Sequence, residues 1–262
     1  MKKKILAIVL ALVTCLCMFT ACGSSDTSND SASTSAESAG TEGTIVFATN
    51  AEFPPFEEVV ADGVLGEYDG IDMAIAKEIG EKTGNKIEMQ SMEFDSLLVA
   101  LQNGQIDATI SGMTITEERA KSVDFSEPYY TATQVMIVKE DSDITCAADM
   151  EGKGIAVVQG YTGETCVKDL GYEYTAFKKG TECVMELVNG KCDVVVIDSA
   201  TAESYIADQE GLKIVTDSEQ FAEEEYGIAV QKGNTELLDT INSAIEEMKA
   251  DGTIDEIIKE YI

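Results

Sequence analysis

The order of strands and helices is the feature of this sequence that most constrains its fold. Apolar runs at residues 44–49, 87–92 and 106–110 are typical of buried strands, and segments with helical spacing separate them. The same β-α-β-α-β order returns later, from a strand at 154–159 to one at 192–197. Parallel strands joined through helices form a sheet that helices cover. The sequence therefore predicts two α/β lobes, and because open sheets bind ligands at the carboxyl ends of their strands, we expect a ligand cleft between them.

The lobe boundaries follow from the point at which this order restarts. We expect residues 44–132 and 227–262 to form lobe 1 and residues 133–226 to form lobe 2. The chain crosses between them near 130–134 and 221–226, and such a pair of connections permits hinge closure.

Four further elements lie outside the two repeats. Residues 133–139 (TQVMIVK) form a long strand with no obvious partner, and residues 226–230 form another strand. Helices around 236–249 and 253–261 follow.

The amino terminus has the pattern of a secretory signal peptide, predicted over residues 1–21. A basic head at residues 1–4 precedes an apolar run at 5–19, which is shorter than the ~20 residues of a spanning helix. The box Phe-Thr-Ala-Cys that ends at Cys22 resembles the bacterial lipoprotein pattern, with phenylalanine where leucine is usual. We therefore expect Cys22 to be acylated and to anchor the protein to the outer face of the cell membrane.

Residues 22–43 are predicted to form a disordered tether behind the lipidated cysteine. After Cys22 this segment contains only Ser, Thr, Gly, Asp, Asn, Glu and Ala, none of which seeds a core. Such a chain reaches roughly 25 Å on average, so the folded part is held near the membrane without resting on it.

The net charge excludes two classes of partner. It is −31 for the whole chain, and removal of residues 1–21, which contain three lysines and no acid, would change it to −34. This charge repels phosphates, so we expect no nucleic acid partner and no membrane contact other than the lipid anchor.

The cysteines predict no metal site. The sequence has no histidine and no Cys-x-x-Cys pair, and cysteines 146, 166, 183 and 192 remain after the signal. The sequence leaves open whether these cysteines form a disulfide or are buried thiols. We favour thiols, because Cys183 and Cys192 lie in segments with an apolar pattern. No cofactor is expected.

The stretch Ser111–Arg119 (SGMTITEER) carries the strongest signal for a ligand, because it contains the only arginine of the sequence. A guanidinium is always charged and binds a carboxylate with two parallel hydrogen bonds. Gly112 allows a tight exit from the preceding strand, and Thr114 or Thr116 can cap a following helix whose free N–H groups favour an anion. The alternative is a surface arginine that pairs with an acid such as Asp124.

Several motifs together resemble the polar amino acid family of extracytoplasmic solute-binding proteins, which deliver their ligands to ABC importers. The motifs are Asn50–Glu57 (NAEFPPFE), Gly70–Asp72, Phe94-Asp95, Ser111–Arg119, Val123–Ser126, Gln159–Gly163 and Asp198. The resemblance covers residues 44–262. It implies an α/β fold of the two-lobed periplasmic-binding-protein type, a free amino acid and a permease as partners, no enzymatic activity, and a monomer.

The resemblance also implies roles for individual residues. Arg119, Thr114 and an N–H at Thr162 correspond to the groups that hold the ligand's α-carboxylate, with Ser111 beside them. Asp198 and the carbonyl of Gly112 correspond to those that hold the α-ammonium. Physically, a zwitterion removed from water needs each charge paired. The alternatives are that Asp198 and Thr162 only cap the helices that follow them.

Two aromatic residues, Phe53 and Phe94, correspond to the pair that stacks on the ligand side chain in such families. Phe53 follows a strand in a polar loop, so exposure at a cleft fits its position, whereas Phe94 fits a core position as well. Phe56 is interpreted as a core residue.

The ligand side chain is predicted to be neutral and polar, similar to glutamine. Relatives that bind arginine or lysine often have an aspartate at the position of Asn50, and Asn50, Gln159 and Tyr161 instead offer amide and hydroxyl groups. Glu52 keeps arginine or lysine as the alternative. An enzyme of the same fold is a second alternative, against which stands the lack of a recognisable nucleophile and base.

Overall fold

The computed structural model describes residues 43–207 and 209–262. The predicted signal peptide, Cys22 and the tether up to residue 42 lie outside the described residues. In the part that is described, none of the helices combines the length and the apolar character that crossing a membrane requires.

The elements alternate between strands and helices as the sequence predicts. The strands are β1 Thr44–Thr49, β2 Glu52–Phe53, β3 Glu57–Gly63, β4 Gly66–Asp69, β5 Lys86–Ser91, β6 Ala108–Thr109, β7 Val123–Phe125, β8 Tyr130–Lys139, β9 Ile155–Val158, β10 Thr175–Phe177, β11 Val194–Asp198, β12 Leu212–Val215, β13 Glu223–Tyr226 and β14 Ala229–Gln231. The helices are α1 Ile71–Thr83, α2 Phe94–Gln102, α3 Glu117–Ala120, α4 Thr162–Asp169, α5 Gly180–Val188, α6 Ser199–Ile206, α7 Thr235–Asp251 and α8 Thr253–Tyr261, with a 3-10 turn at Ala147–Met150.

The first sheet has the strand order β5-β1-β6-β14-β7. Strand β1 runs parallel to β5 and β6, and β14 runs antiparallel to β6 and β7. Because side chains alternate along a strand, Ile45 and Phe47 pack in the cluster that contains α1, α7 and α8, whereas Ala48 packs with Leu97 and Leu101 of α2. Helices therefore cover both faces of this sheet.

The second sheet has the order β10-β9-β11-β8-β12, and β13 also pairs with β8. Strand β8, predicted over 133–139 with no obvious partner, is an internal strand between β11 and β12, and it pairs antiparallel with β11, β12 and β13. Its residues 135–138 are all buried. A strand buried on both faces is a continuous apolar run, which explains the absence of alternation in its sequence.

The chain crosses between the sheets in two segments that pair with each other. Tyr130 faces Tyr226 and Thr133 faces Glu223 in the antiparallel register of β8 and β13. The single strand predicted at 226–230 is instead two strands in different sheets, separated around Gly227, where an added Cβ would lie 2.9 Å from the Ile115 side chain.

Two other segments differ from the sequence predictions. The strand predicted over 106–110 is reduced to the two residues of β6, although Ile106 and Ile110 are buried. Strands β2, β3 and β4 form a small antiparallel sheet over residues 52–69, for which the sequence predicted no strand. Cysteines 146, 166, 183 and 192 are free thiols, and burial raises the pKa of Cys183 to about 12.

Candidate functional site

The loop after β6 turns sharply at Gly112, which has a φ of 46°. An added Cβ would lie 2.6 Å from the Phe53 ring, so this backbone can approach the ring only as glycine. Thr116 then caps the short helix α3 by accepting the Arg119 N–H over 3.2 Å. Of the two predicted caps, Thr116 is therefore the one that is used, and it brings Arg119 back toward the loop.

Arg119 is directed into the molecule and not into a surface ion pair. Its Nη1 donates to the Thr114 carbonyl over 2.8 Å, and its Nη2 donates to the Gly160 carbonyl over 3.0 Å. Its guanidinium carbon lies 5.3 Å from the centre of the Phe94 ring. Asp124, the alternative partner, is paired with Lys232 instead. Burial lowers the pKa of Arg119, and the carboxylates of Asp198 and Glu224 oppose that effect.

Behind the loop lies a pair of buried acids, Glu57 and Asp72. Ser111 Oγ donates to Glu57 Oε1 over 2.7 Å, and the Gly112 N–H donates to Asp72 Oδ2 over 2.7 Å. Burial raises the pKa of Glu57 well above its ordinary value and raises that of Asp72 to about 7. The charge of Asp72 also raises the pKa of Glu57 and of Tyr129. Burial of adjacent carboxyl groups favours their protonated forms, and the two acids accept the hydrogen bonds that hold Ser111 and Gly112 in place.

Asp198 ends strand β11 and is 3% exposed. It occupies the N-cap position of α6, but its side chain makes no capping hydrogen bond there. Instead the Tyr226 hydroxyl donates to its Oδ1 over 2.6 Å. Burial, and then the charge of Glu224, raise the pKa of Asp198 to about 6. Its role is therefore distinct from that of a helix cap.

A set of polar groups joins the two sides of the site at Glu224. Its Oε2 accepts hydrogen bonds from Thr162 Oγ1 at 2.6 Å, from Thr114 Oγ1 at 2.9 Å and from Gln134 Nε2 at 3.4 Å. The Thr162 side chain does not cap α4, which begins at that residue. Sequence reasoning did not single out Glu224 or Gln134. Because side chains alternate along β13, Glu224 lies on the same face of the strand as the buried Tyr226, and this alternation was the available signal.

Three aromatic rings meet at the other end of the site. Tyr161 packs edge-on against Phe53 with ring centres 5.3 Å apart, and against Phe94 at 4.6 Å. Its hydroxyl donates to Asn50 Oδ1 over 3.2 Å, while Asn50 Nδ2 donates to the Met92 carbonyl. Phe94 is half-buried and contributes to both the site and the core.

These groups enclose one pocket with a free volume of about 10 Å³, which is room for about one water molecule. Its lining consists of Phe53, Phe94, Ser111, Gly112, Thr114, Arg119, Tyr161, Thr162 and Asp198. Eight of the ten residues predicted from the sequence are among them.

The other two predicted residues, Asn50 and Gln159, do not line the pocket. Asn50 lies behind Tyr161, and the Gln159 amide donates to Asp95 Oδ2 over 3.2 Å at an exposed position. Glu52 forms an ion pair with Lys179 outside the lining. Phe56 is completely buried among aromatic side chains, so its interpretation as a core residue is confirmed.

No group of three or more histidine, cysteine, aspartate or glutamate side chains among the described residues is arranged to hold a metal ion. The pocket instead combines one guanidinium, one buried carboxylate, hydroxyl groups and aromatic faces.

Comparison with known proteins places this chain in a family. The model of bacterial extracellular solute-binding proteins, family 3, matches residues 45–262. The arginine-binding extracellular protein ArtP of Bacillus subtilis (strain 168) is 34% identical over 266 residues, covering 100% of this chain and 98% of ArtP. The glutamine-binding protein GlnH of an ABC transporter of the same organism is 32% identical over 270 residues, covering 99% and 97%.

Among solved structures, an ancestral arginine-binding protein bound to glutamine superposes with a TM-score of 0.78 at 44% identity, covering 85% of this chain and 99% of that protein. The two-lobed α/β fold expected from the resemblance is thereby confirmed. The chain belongs to family 3 of the bacterial extracellular solute-binding proteins, which are extracytoplasmic binding proteins and not enzymes.

Proposed function

We propose that this protein binds a free L-amino acid between its two sheets and delivers it to an ABC importer. The observation that carries the proposal is the meeting of opposite charges in one pocket: Arg119 comes from the short helix α3, and Asp198 comes from the end of β11. A zwitterion transferred from water needs a partner for each of its charges, and a buried charge without one is very costly.

The pocket suggests how an amino acid would be oriented. Its α-carboxylate would face Arg119 and the hydroxyl of Thr114, with the N–H of Thr162 at the start of α4. Its α-ammonium would face the Asp198 carboxylate and the Gly112 carbonyl. The side chain would then extend toward the rings of Phe53 and Phe94.

Entry of a ligand requires the pocket to open. We propose that lobe 1, residues 44–132 and 227–262, and lobe 2, residues 133–226, separate about the paired segments of β8 and β13. The contacts that would break include the ion pairs Lys179–Glu52 and Lys178–Asp95, which are partly exposed. Exposed pairs contribute about 0–1 kcal/mol each, so they oppose opening only weakly.

A glutamine-like side chain suits the neutral end of the site. Asn50 and the Tyr161 hydroxyl are uncharged, and the nearby Glu52 is already paired with Lys179. An unpaired ammonium or guanidinium at this end would cost several kcal/mol. The glutamine named for GlnH and for the ancestral protein supports this ligand class.

Arginine is the second candidate. ArtP, named as an arginine-binding protein, is 34% identical to this chain along its whole length. Rearrangement of the Lys179–Glu52 pair would free a carboxylate at the aromatic end of the site.

One experiment separates these candidates. The protein is unfolded and refolded to remove carried ligand, the twenty amino acids are screened by thermal shift, and glutamine and arginine then compete in calorimetry. We expect glutamine to bind more tightly. Tighter binding of arginine, with loss of that advantage in Glu52→Gln, would establish the second candidate, and binding of no amino acid would overturn the proposal.

We also propose that the mature protein is a monomer anchored through an acylated Cys22. Cys22→Ser should move the protein from the membrane fraction to the soluble fraction without a change in ligand affinity. A wild-type protein that is already soluble would contradict the anchor.

A further inference from the structure

Glu224 lies where a ligand carboxylate is expected to bind. It is the middle residue of three consecutive glutamates on β13, and it is half-buried, whereas Glu223 and Glu225 are exposed. It pairs with Ala132 in the ladder between the two chain crossings.

Hydrogen bonds hold the Glu224 carboxylate from both sides of the pocket. Thr114 belongs to the loop after β6 of the first sheet, and Thr162 begins helix α4, which follows β9 of the second sheet. The Thr114 hydroxyl lies 2.9 Å from Glu224 Oε2, and the Thr162 hydroxyl lies 2.6 Å from it. The charge of the same carboxylate opposes the lowering of the Arg119 pKa by burial, and it raises the pKa of Asp198. The Glu224 carboxylate thus accepts the hydrogen bonds that the two hydroxyls would otherwise donate to a ligand carboxylate.

We propose that Glu224 is an internal competitor of the ligand's α-carboxylate, and that it must leave the hydroxyls of Thr114 and Thr162 when the ligand binds. The inference rests on the proposed amino acid function. Each hydroxyl has one proton and cannot donate fully to two carboxylates, and two carboxylates at the same donors repel each other.

The structure provides room for this displacement. A cavity of about 500 Å³ lies beside the pocket and is lined by Glu224 together with both threonines. Its remaining lining includes Thr131, Thr165 and the exposed Glu223 and Glu225. Rotation of the Glu224 side chain into this cavity would release both hydroxyls and keep the charge near polar groups.

The first test is Glu224→Gln, with Glu225→Gln as a matched control that makes the same change of charge at the exposed neighbour. We expect Glu224→Gln to bind the amino acid identified by the screen roughly tenfold more tightly in calorimetry, which corresponds to ~1.4 kcal/mol. The control should bind as wild type does. Unchanged or weaker binding by Glu224→Gln would overturn the inference, because Glu224 would then be neutral or helpful to the ligand.

The second test needs no amino acid. Glu224→Ala removes the side-chain carboxylate and leaves space for acetate, so sodium acetate should raise the melting temperature of this variant above the effect of equal sodium chloride. Wild type and Glu225→Ala should respond alike to both salts. Rescue by acetate without amino acid binding would show that a carboxylate site exists at Glu224 and would overturn the proposed function.

The converse result is also decisive. Amino acid binding that is equal in wild type and Glu224→Gln, with no acetate effect, would overturn the inference and leave the proposed function standing. If Glu224→Ala does not fold, the isosteric Glu224→Gln decides alone.

Discussion

The cleft side carried by the first sheet and the side carried by the second sheet meet in one pocket, but different interactions hold them. On the first side, Ser111 and Gly112 are fixed by the buried acids Glu57 and Asp72. On the second side, Tyr161 fills the space between the aromatic rings, and exposed lysines reach across to acids of the first side. The first side is therefore preorganised, and the second side has the contacts that a ligand can replace.

The energetic difference follows from solvent exposure. A buried polar group that loses its partner costs about 1–3 kcal/mol, because no water replaces the partner. An exposed ion pair contributes about 0–1 kcal/mol, because water solvates both ions after separation. The comparison implies that changes on the first side affect stability as well as binding, whereas changes on the second side affect mainly binding.

The largest expected effect is that of Arg119→Ala on binding. Loss of one partner of a buried ion pair costs about 3–5 kcal/mol, so affinity for the amino acid should fall by about two to four powers of ten in calorimetry. Arg119→Lys should restore little, because an ammonium lacks the planar fork. Lys121→Ala, an exposed change near the same helix, is the control. Affinity within a few-fold of wild type in Arg119→Ala would show that the carboxylate site is elsewhere.

The next prediction concerns the free energy of unfolding, which a change on the first side should lower more than a change on the second side. Asp72→Ala leaves the Gly112 N–H without its acceptor and should lower the free energy of unfolding by about 1–3 kcal/mol in urea titrations. Lys179→Ala, which breaks an exposed pair on the second side, should lower it by at most about 1 kcal/mol. Equal losses in the two variants would remove the distinction drawn between the sides.

The buried acids also predict how stability depends on pH. Since burial raises the pKa of Asp72 from 3.8 to about 7, the folded state binds more protons than the unfolded state between these values. Stability should therefore fall as pH rises from about 4 to about 7, by up to ~1.4 kcal/mol per pH unit for each proton.

Asp72→Asn isolates the contribution of this pair. The amide oxygen can still accept from Gly112, but the side chain no longer titrates, so urea titrations should show a flatter dependence on pH than wild type. A slope that stays unchanged would assign the dependence to repulsion among the many surface acids.

The smallest expected effect is on the second side, at Tyr161. With this ring in place the pocket has only about 10 Å³ free, so the ligand side chain needs the ring to move. Tyr161→Phe removes the hydrogen bond to Asn50, worth about 0.5–1.5 kcal/mol, and should tighten binding a few-fold. Tyr172→Phe is the control, because Tyr172 packs against a separate cluster that contains Met136 and Val138 of β8. Weaker binding by Tyr161→Phe would mean that the hydroxyl contacts the ligand.

Much of the fold was open to prediction because it depends on local patterns. The alternation of apolar runs and helical spacing predicts the two α/β units, since the period of two or 3.6 is a property of neighbouring residues. Arg119 could also be identified from its local setting, as a lone arginine after a buried strand and a glycine. Asp198 was identified only through the resemblance to a family.

The tertiary structure alone decided which groups meet. The sequence determined that β8 is an apolar strand, but its place between β11 and β12 in the second sheet depends on pairing with segments far along the chain. Asn50 and Gln159 are polar groups of the right kind, yet Tyr161 and Asp95 take their hydrogen bonds. Glu224 enters the site through the register of β13 against β8. A shift of one residue would turn this side chain to the opposite face of its strand, and long-range pairing sets that register.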